Sequence, residues 1–154
     1  MRPLLANEIK NAFIPDDRKL WTEPCLENQP WEDLDFLAWR HKIPGYFYLV
    51  VPSQDELVGM VLKMNRDSTN LSGSCDLCFS RNHSVGVKSA MVETFDNPRV
   101  QLGIHVCADL RCSLRVRSLE EALFLYEITT VGKRIERLQH KAEKFSKRVS
   151  ARRG

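Results

Sequence analysis

The sequence predicts an α+β fold in which helices flank antiparallel β-hairpins, and three observations support this prediction. Apolar residues recur at helical spacing before residue 42. From Tyr46 the chain changes to runs of aromatic and β-branched residues, which are typical of strands. Helical spacing then returns near the C-terminus. With 154 residues, the chain is long enough to bury the core of one domain.

The N-terminal region predicts two helices joined by a loop. The apolar residues of segment 4–14 share one helix face, and Pro15 ends that helix. Residues 16–21 fit a further short helical turn, and residues 22–30, which contain two prolines, fit a loop. Residues 31–41 again show helical spacing. A second helix is therefore expected there.

The middle of the chain predicts two β-hairpins. Residues 46–51 and 57–64 have strand composition and enclose a short turn, so they are expected to form the first hairpin. Residues 85–93 and 100–106 form the second, around a turn at 96–98. The expected strand pairing is therefore antiparallel.

The C-terminal region predicts helix and a concentration of positive charge. Ser118 followed by Glu121 is a capping-box pattern, which predicts a helix that Gly132 kinks or ends. Residues 133–154 continue at helical spacing and hold nine Lys or Arg against two Glu, a net charge of +7. Because the whole chain carries +3, residues 1–132 carry −4. We therefore divide the chain into a body, 1–132, and a basic helical tail, 133–154.

Four of the five cysteines form two close pairs, and this pattern predicts a zinc site. Two residues separate Cys75 from Cys78, four separate Cys107 from Cys112, and 28 lie between the pairs. Zinc takes four thiolates tetrahedrally, and a tight turn can present two of them to one ion. A turn, a hairpin and a helix that supplies the last ligand form a treble-clef zinc finger, here at residues 75–117. Because four thiolates fill the coordination sphere, a structural zinc is expected.

The same residues allow other interpretations. The cysteines could be reduced and unliganded, or Cys75 and Cys78 could form a thioredoxin-like redox pair, which requires a strand-helix-strand context. His83 or His105 could replace one cysteine as a ligand. Cys25 lies far upstream of the pairs, and we interpret it as a packing residue or a free thiol.

Several classes of protein lack support in the sequence. It contains no His-Glu-x-x-His motif, phosphate-binding glycine loop or nucleophile elbow, so an enzyme is not expected. No apolar run approaches the roughly 20 residues of a membrane span. Charge interrupts the N-terminus too early for a secretory signal. We therefore expect a cytoplasmic protein without a membrane partner.

Two groups of residues resemble a known family. The sequence HVCADLRCSLRVR at 105–117, preceded by the pair at 75–78, resembles the C-terminal treble-clef zinc-finger domain of elongation factor G-binding proteins, which include fusidic-acid-resistance proteins. FIPDDR at 13–18, WEDLDFLAWR at 31–40 and GMVL at 59–62 resemble the helix and hairpin segments of its short, single-domain members. The resemblance covers about residues 5–120.

This resemblance implies a mixed α and β fold, zinc bound by the four cysteines at matching positions, and elongation factor G as a partner. Aromatic and arginine side chains are the residue types that most often anchor protein interfaces. On or near the finger, the candidate contacts are Phe79, Phe95, Arg99, Arg111, Arg115 and Phe124. The alternatives are core packing for each phenylalanine and a solvated face for the arginines.

Two functions are therefore expected. The resemblance predicts a zinc-finger binding protein in translation that contacts elongation factor G and modulates its association with the ribosome. The basic tail predicts instead a ribosome- or RNA-binding zinc protein that uses residues 133–154 on phosphates. A merely solvated helix face is the alternative interpretation of the tail.

Overall fold

The computed structural model describes residues 1–54, 56–65, 73–81, 84–93, 101–124 and 129–153. The predicted α+β class is confirmed. In chain order, the elements are helix α1 (Ala6–Asn11), two short 3₁₀ turns (Asp17–Leu20 and Trp31–Asp33), strands β1 (Leu37–Arg40), β2 (Tyr46–Ser53), β3 (Glu56–Met64), β4 (Val87–Glu93) and β5 (Gln101–Cys107), and helices α2 (Cys112–Val116) and α3 (Val131–Arg153).

The five strands form one antiparallel sheet in the order β1-β2-β3-β4-β5. Both predicted hairpins are confirmed: Leu49 pairs with Met60 in the first, and Ala90 pairs with Ile104 in the second. The turn predicted at 96–98 lies outside the described residues.

Both faces of the sheet are covered, so the protein has two apolar cores. Along β2, Phe47, Leu49 and Val51 point into a core that also contains the four paired cysteines and the apolar residues of α3, which we call the finger-side core. The alternate residues, Tyr48 and Val50, point into a second core beneath α1. We call this second core the aromatic core, because the rings of Phe13, Trp21, Trp39 and Tyr48 pack there with centroids 4.8–6.0 Å apart.

The prediction of a helix at residues 31–41 is wrong. After a single 3₁₀ turn, this segment becomes β1, whose Leu37 pairs with Val50 of β2. Leu37 and Trp39 enter the aromatic core, whereas Phe36 and Ala38 contact the finger-side core. The sequence of a strand buried on both faces is a continuous apolar run. Hydrophobic periodicity does not distinguish such a run from a buried helix.

The prediction of a helix that starts at Ser118 is also wrong over the described residues 119–124. Ser118 has a φ of 59° and directly follows Arg117, the C-cap of α2. Its N–H donates to the Arg115 carbonyl at 2.9 Å, and the N–H of Leu119 donates to the Leu114 carbonyl at 3.0 Å. These two bonds form a Schellman motif, so the serine closes one helix instead of starting the next.

The helical prediction for residues 133–149 is confirmed by α3, which begins at Val131 and runs through Gly132 without ending there. Its apolar face joins the finger-side core through Leu138, Ala142, Phe145 and Val149. None of the described helices is long and apolar enough to cross a membrane. The helix that carries the basic charge is thus packed along the body, and the boundary at residue 132 stays a prediction.

Candidate metal centre

Three local elements place the two pairs of cysteines. Cys75 and Cys78 lie in a turn ahead of β4, Cys107 is the last residue of β5, and Cys112 is the first residue of α2. The β4–β5 hairpin pairs Val87 with Cys107, which brings the second pair back to the start of the hairpin. This succession of turn, hairpin and helix has the order predicted for a treble clef.

The four sulfur atoms converge in the interior. All four Sγ atoms lie within 4.8 Å of one another, and all four residues are buried. Cys75 Sγ is 3.7 Å from Cys112 Sγ, and Cys78 Sγ is 3.5 Å from Cys107 Sγ. Bonds of about 2.3 Å to a tetrahedral zinc would place sulfurs about 3.8 Å apart. The spacing therefore fits one structural zinc ion bound by four thiolates.

Backbone hydrogen bonds fix the first turn of the finger. The N–H of Cys78 donates to Cys75 Sγ at 3.5 Å, and the N–H of Phe79 donates to the Cys75 carbonyl at 2.9 Å. Asp76 fastens this turn to β5, because its N–H donates to the His105 carbonyl and its Oδ2 accepts from the His105 N–H, at 2.8 and 2.7 Å. These bonds fix Cys75 and Cys78 relative to each other and to β5.

The electrostatics of the cluster favour a cation. Burial raises the pKa of the Cys75 thiol well above its ordinary value. Hydrogen bonding, first from Cys107 and also from the Ser80 hydroxyl 2.9 Å away, lowers the pKa of Cys78. Four thiolates this close and this buried repel one another, and a divalent cation relieves that repulsion.

A second group of charged residues surrounds the finger helix. The guanidinium of Arg115 donates to both carboxylate oxygens of Asp109, at 2.7 Å each, and lies 3.6 Å from Glu120. Arg111 pairs with the same Glu120 at 2.7 Å. Asp109 lies in the loop between the last two cysteines, so the network braces that loop against α2.

The structure places the other predicted partner contacts at different depths. Phe79 is 36% exposed, with Arg137 over its ring at 4.4 Å from the centroid. Phe124 is half-buried beneath Arg134, and Arg111 is exposed. The Arg115 side chain is only 3% exposed, which gives it a bracing position. Phe95 and Arg99 lie outside the described residues.

The alternatives to a four-cysteine site find no geometric support among the described residues. His105 is exposed, with Nδ1 3.9 Å from Asp76 Oδ2, and it does not belong to the sulfur cluster. Cys25 is exposed and also lies outside the cluster. Cys75 and Cys78 precede a hairpin, not a helix. His83 falls outside the described residues.

Sequence reasoning missed the polar residues that support the cluster. Ser80 places its hydroxyl 2.9 Å from Cys78 Sγ and 3.5 Å from Cys107 Sγ. Asp109 braces the second pair through Arg115. The position of Ser80, two residues after the first pair, is the only signal the sequence offers for it, because its approach to Cys107 depends on a fold that joins residues 27 apart.

Comparison with known proteins supports the zinc finger. The family model described as FBP C-terminal treble-clef zinc-finger matches residues 8–149. The solved structure of the fusidic acid resistance protein FusC has a similar fold, with a TM-score of 0.59 and 15% sequence identity. The similarity covers 73% of this chain and 52% of that one, so the chain spans about half the length of FusC. No curated protein sequence matches this chain significantly.

Proposed function

The chain belongs to the FBP C-terminal treble-clef zinc-finger family, and from this membership we propose that it binds elongation factor G and modulates its association with the ribosome. The family is defined by a zinc finger, and the protein is not an enzyme. Acting on elongation factor G would place the protein in the cytoplasm. In this proposal, Cys75, Cys78, Cys107 and Cys112 hold a structural zinc ion.

The observation that carries the proposal is the closed sulfur cluster at the centre of the finger. Four buried sulfurs within 4.8 Å leave a bound zinc no open position for substrate. Its contribution is therefore to fix the shape of the surrounding surface. A surface held in its binding shape loses less conformational entropy when a partner binds.

The surface best suited to a protein partner lies beside the first turn of the finger. The segment after α2 meets the finger just past this turn, because the N–H of Arg81 donates to the Leu123 carbonyl at 3.1 Å. In the finger and in this segment, the exposed large apolar side chains include Leu119, Leu123 and Phe79, at 57, 45 and 36%. Large exposed apolar side chains rimmed by cations match the apolar centre and polar rim of protein interfaces.

The test is direct binding of the zinc-loaded protein to purified elongation factor G, measured by calorimetry. We expect Phe79→Ala and Leu123→Ala each to weaken binding about tenfold or more, as truncated anchors do. Leu5→Ala is the matched control, because Leu5 is an exposed leucine, 65% accessible, at the edge of α1. It should leave the affinity unchanged.

Two results would overturn the proposal. One is that the folded, zinc-loaded wild type does not bind elongation factor G. The other is that the Leu5 variant loses as much affinity as the two finger variants, because the finger surface would then not be the binding site.

A further inference from the structure

Helix α3 concentrates positive charge on its solvent-facing side. The buried residues of α3 occupy one face of the helix, and most of its cations lie on the opposite face. At 3.6 residues per turn, six of them follow one another at intervals of three or four residues. We call this set the basic stripe: Lys133, Arg137, Lys141, Lys144, Arg148 and Arg152.

The arrangement of charge within α3 is unfavourable for the helix itself. Like charges four residues apart destabilise a helix, and the stripe contains such pairs, including Lys144 with Arg148 and Arg148 with Arg152. The two acids, Glu136 and Glu143, are seven residues apart and therefore lie together at one edge of the stripe. Glu143 pairs with Lys147, a lysine outside the stripe, at 2.8 Å.

Part of the stripe is held in position by the finger. The Arg137 guanidinium and the Lys141 ammonium lie 4.4 and 5.2 Å from the centroid of the Phe79 ring. Lys144, Arg148 and Arg152 are different: within the described part of the chain they form no ion pair, and all three are exposed. These cations are therefore available to an anionic partner.

We propose that the basic stripe binds the phosphate backbone of RNA. Successive cations rise about 6 Å along the helix axis, similar to the distance between neighbouring phosphates, and the stripe extends about 28 Å. A row of point charges at this spacing neutralises phosphates whatever the base sequence. The choice of RNA over DNA rests on the proposed function, because a protein that acts on elongation factor G meets ribosomal RNA.

The helix is poorly suited to other anionic partners. A helix that lies on a membrane inserts an apolar face, but the apolar face of α3 is already packed in the finger-side core through Leu138, Phe145 and Val149. A protein interface has an apolar centre, whereas the exposed residues between Lys144 and Arg152 are charged or small. Phosphate requires neither feature.

The experiment measures binding of the zinc-loaded protein to an RNA hairpin of about 16 base pairs by fluorescence anisotropy across a salt series. The test variant is Lys144→Ala/Arg148→Ala, which keeps helix-forming residues. The matched control, Lys10→Ala/Lys42→Ala, removes two exposed lysines that lie outside α3. Circular dichroism confirms that each variant is folded, and a DNA hairpin and anionic vesicles serve as competing probes.

The wild type is expected to bind RNA, and the test variant should lose about 0.7–0.9 from the salt slope for each lost phosphate contact, with the control unchanged. Equal losses in both variants, or no RNA binding, would overturn the proposal. So would stripe-dependent binding to vesicles without binding to RNA, and equal binding of DNA would overturn the assignment to RNA. Loss of elongation factor G binding with intact RNA binding in the test variant would assign the stripe to the protein interface instead.

The same series separates this inference from the proposed function. If the wild type binds RNA through the stripe but does not bind elongation factor G, the proposed function fails and the phosphate site stands. If it binds elongation factor G and ignores RNA, the reverse holds.

Discussion

Gly59 of β3 is the residue at which the two ends of the chain meet the sheet. Its N–H donates to the Ala12 carbonyl at 2.9 Å, and its carbonyl accepts from Arg153 Nη1 at 2.9 Å. A Cβ at this position would lie 2.7 Å from the Phe13 ring. The absence of a side chain is therefore what allows Phe13 to pack against the strand.

Gly59→Ala should destabilise the protein by about 1–3 kcal/mol, because the ring and the strand must move apart in a packed core. The measurement is the urea midpoint at constant m-value. Gly103→Ala is the matched control, since that glycine also lies in a strand but a Cβ there would meet nothing within 4 Å. Equal effects of the two substitutions would show that the contact with Phe13 does not determine the loss of stability at Gly59.

Substitution of Ser80 tests how far the zinc affinity depends on groups that are not ligands. Its hydroxyl lies 2.9 Å from Cys78 Sγ, so it stabilises the thiolate form that zinc requires. Ser80→Ala should weaken zinc affinity about 10- to 100-fold, measured by competition with a chromogenic chelator. Ser84→Ala is the control, because Ser84 is exposed between the finger turn and β4. Unchanged affinity in the Ser80 variant would assign the hydroxyl no role at the metal.

At the scale of elements, sequence prediction succeeded where structure is local and failed where tertiary contacts decide. The hairpins and α3 were predictable, because their period and turns lie within the segments themselves. Strand β1 was not, because it depends on cover from both faces of the sheet. Ser118 and Glu121 have capping-box spacing, but the left-handed Ser118 closes α2, and a serine pattern alone does not separate the two roles.

Ser118→Gly distinguishes these two roles of the serine. Because Ser118 has a φ of 59°, glycine should relieve backbone strain and stabilise the protein by up to about 1 kcal/mol, after allowing for the entropy of the unfolded chain. A serine that capped a following helix would instead lose a few tenths of a kcal/mol on the same change. The sign of the shift in thermal midpoint decides between them.

At the scale of the whole molecule, long-range contacts join the finger to the segment before β1 and to α3. Asp35, whose carboxylate is 1% exposed, accepts from Arg117 at 2.5 Å and from Gln139 at 2.9 Å. These partners are 82 and 104 residues away in sequence, so no local pattern predicts them. The four cysteines, by contrast, were predictable as a set because their spacing is itself a signal of metal binding.

The same connectivity predicts that zinc supports more than the finger. The cysteines share one core with α3 and with the inward side of β2. The three tryptophans, Trp21, Trp31 and Trp39, report on the other side of the sheet, because all of them pack against the aromatic core. Because the two cores share one sheet, removing the metal should unfold both of them as one cooperative unit.

Titrating the protein with a zinc chelator should therefore change far-ultraviolet circular dichroism and tryptophan emission together, with coincident midpoints, and added zinc should restore both signals. The physical reason is that the metal joins the two buried cysteine pairs, so its removal releases the finger from the core that α3 and the sheet share. Elemental analysis confirms that the metal has left. Native tryptophan emission from the zinc-free protein would show instead that the aromatic core folds independently of the finger.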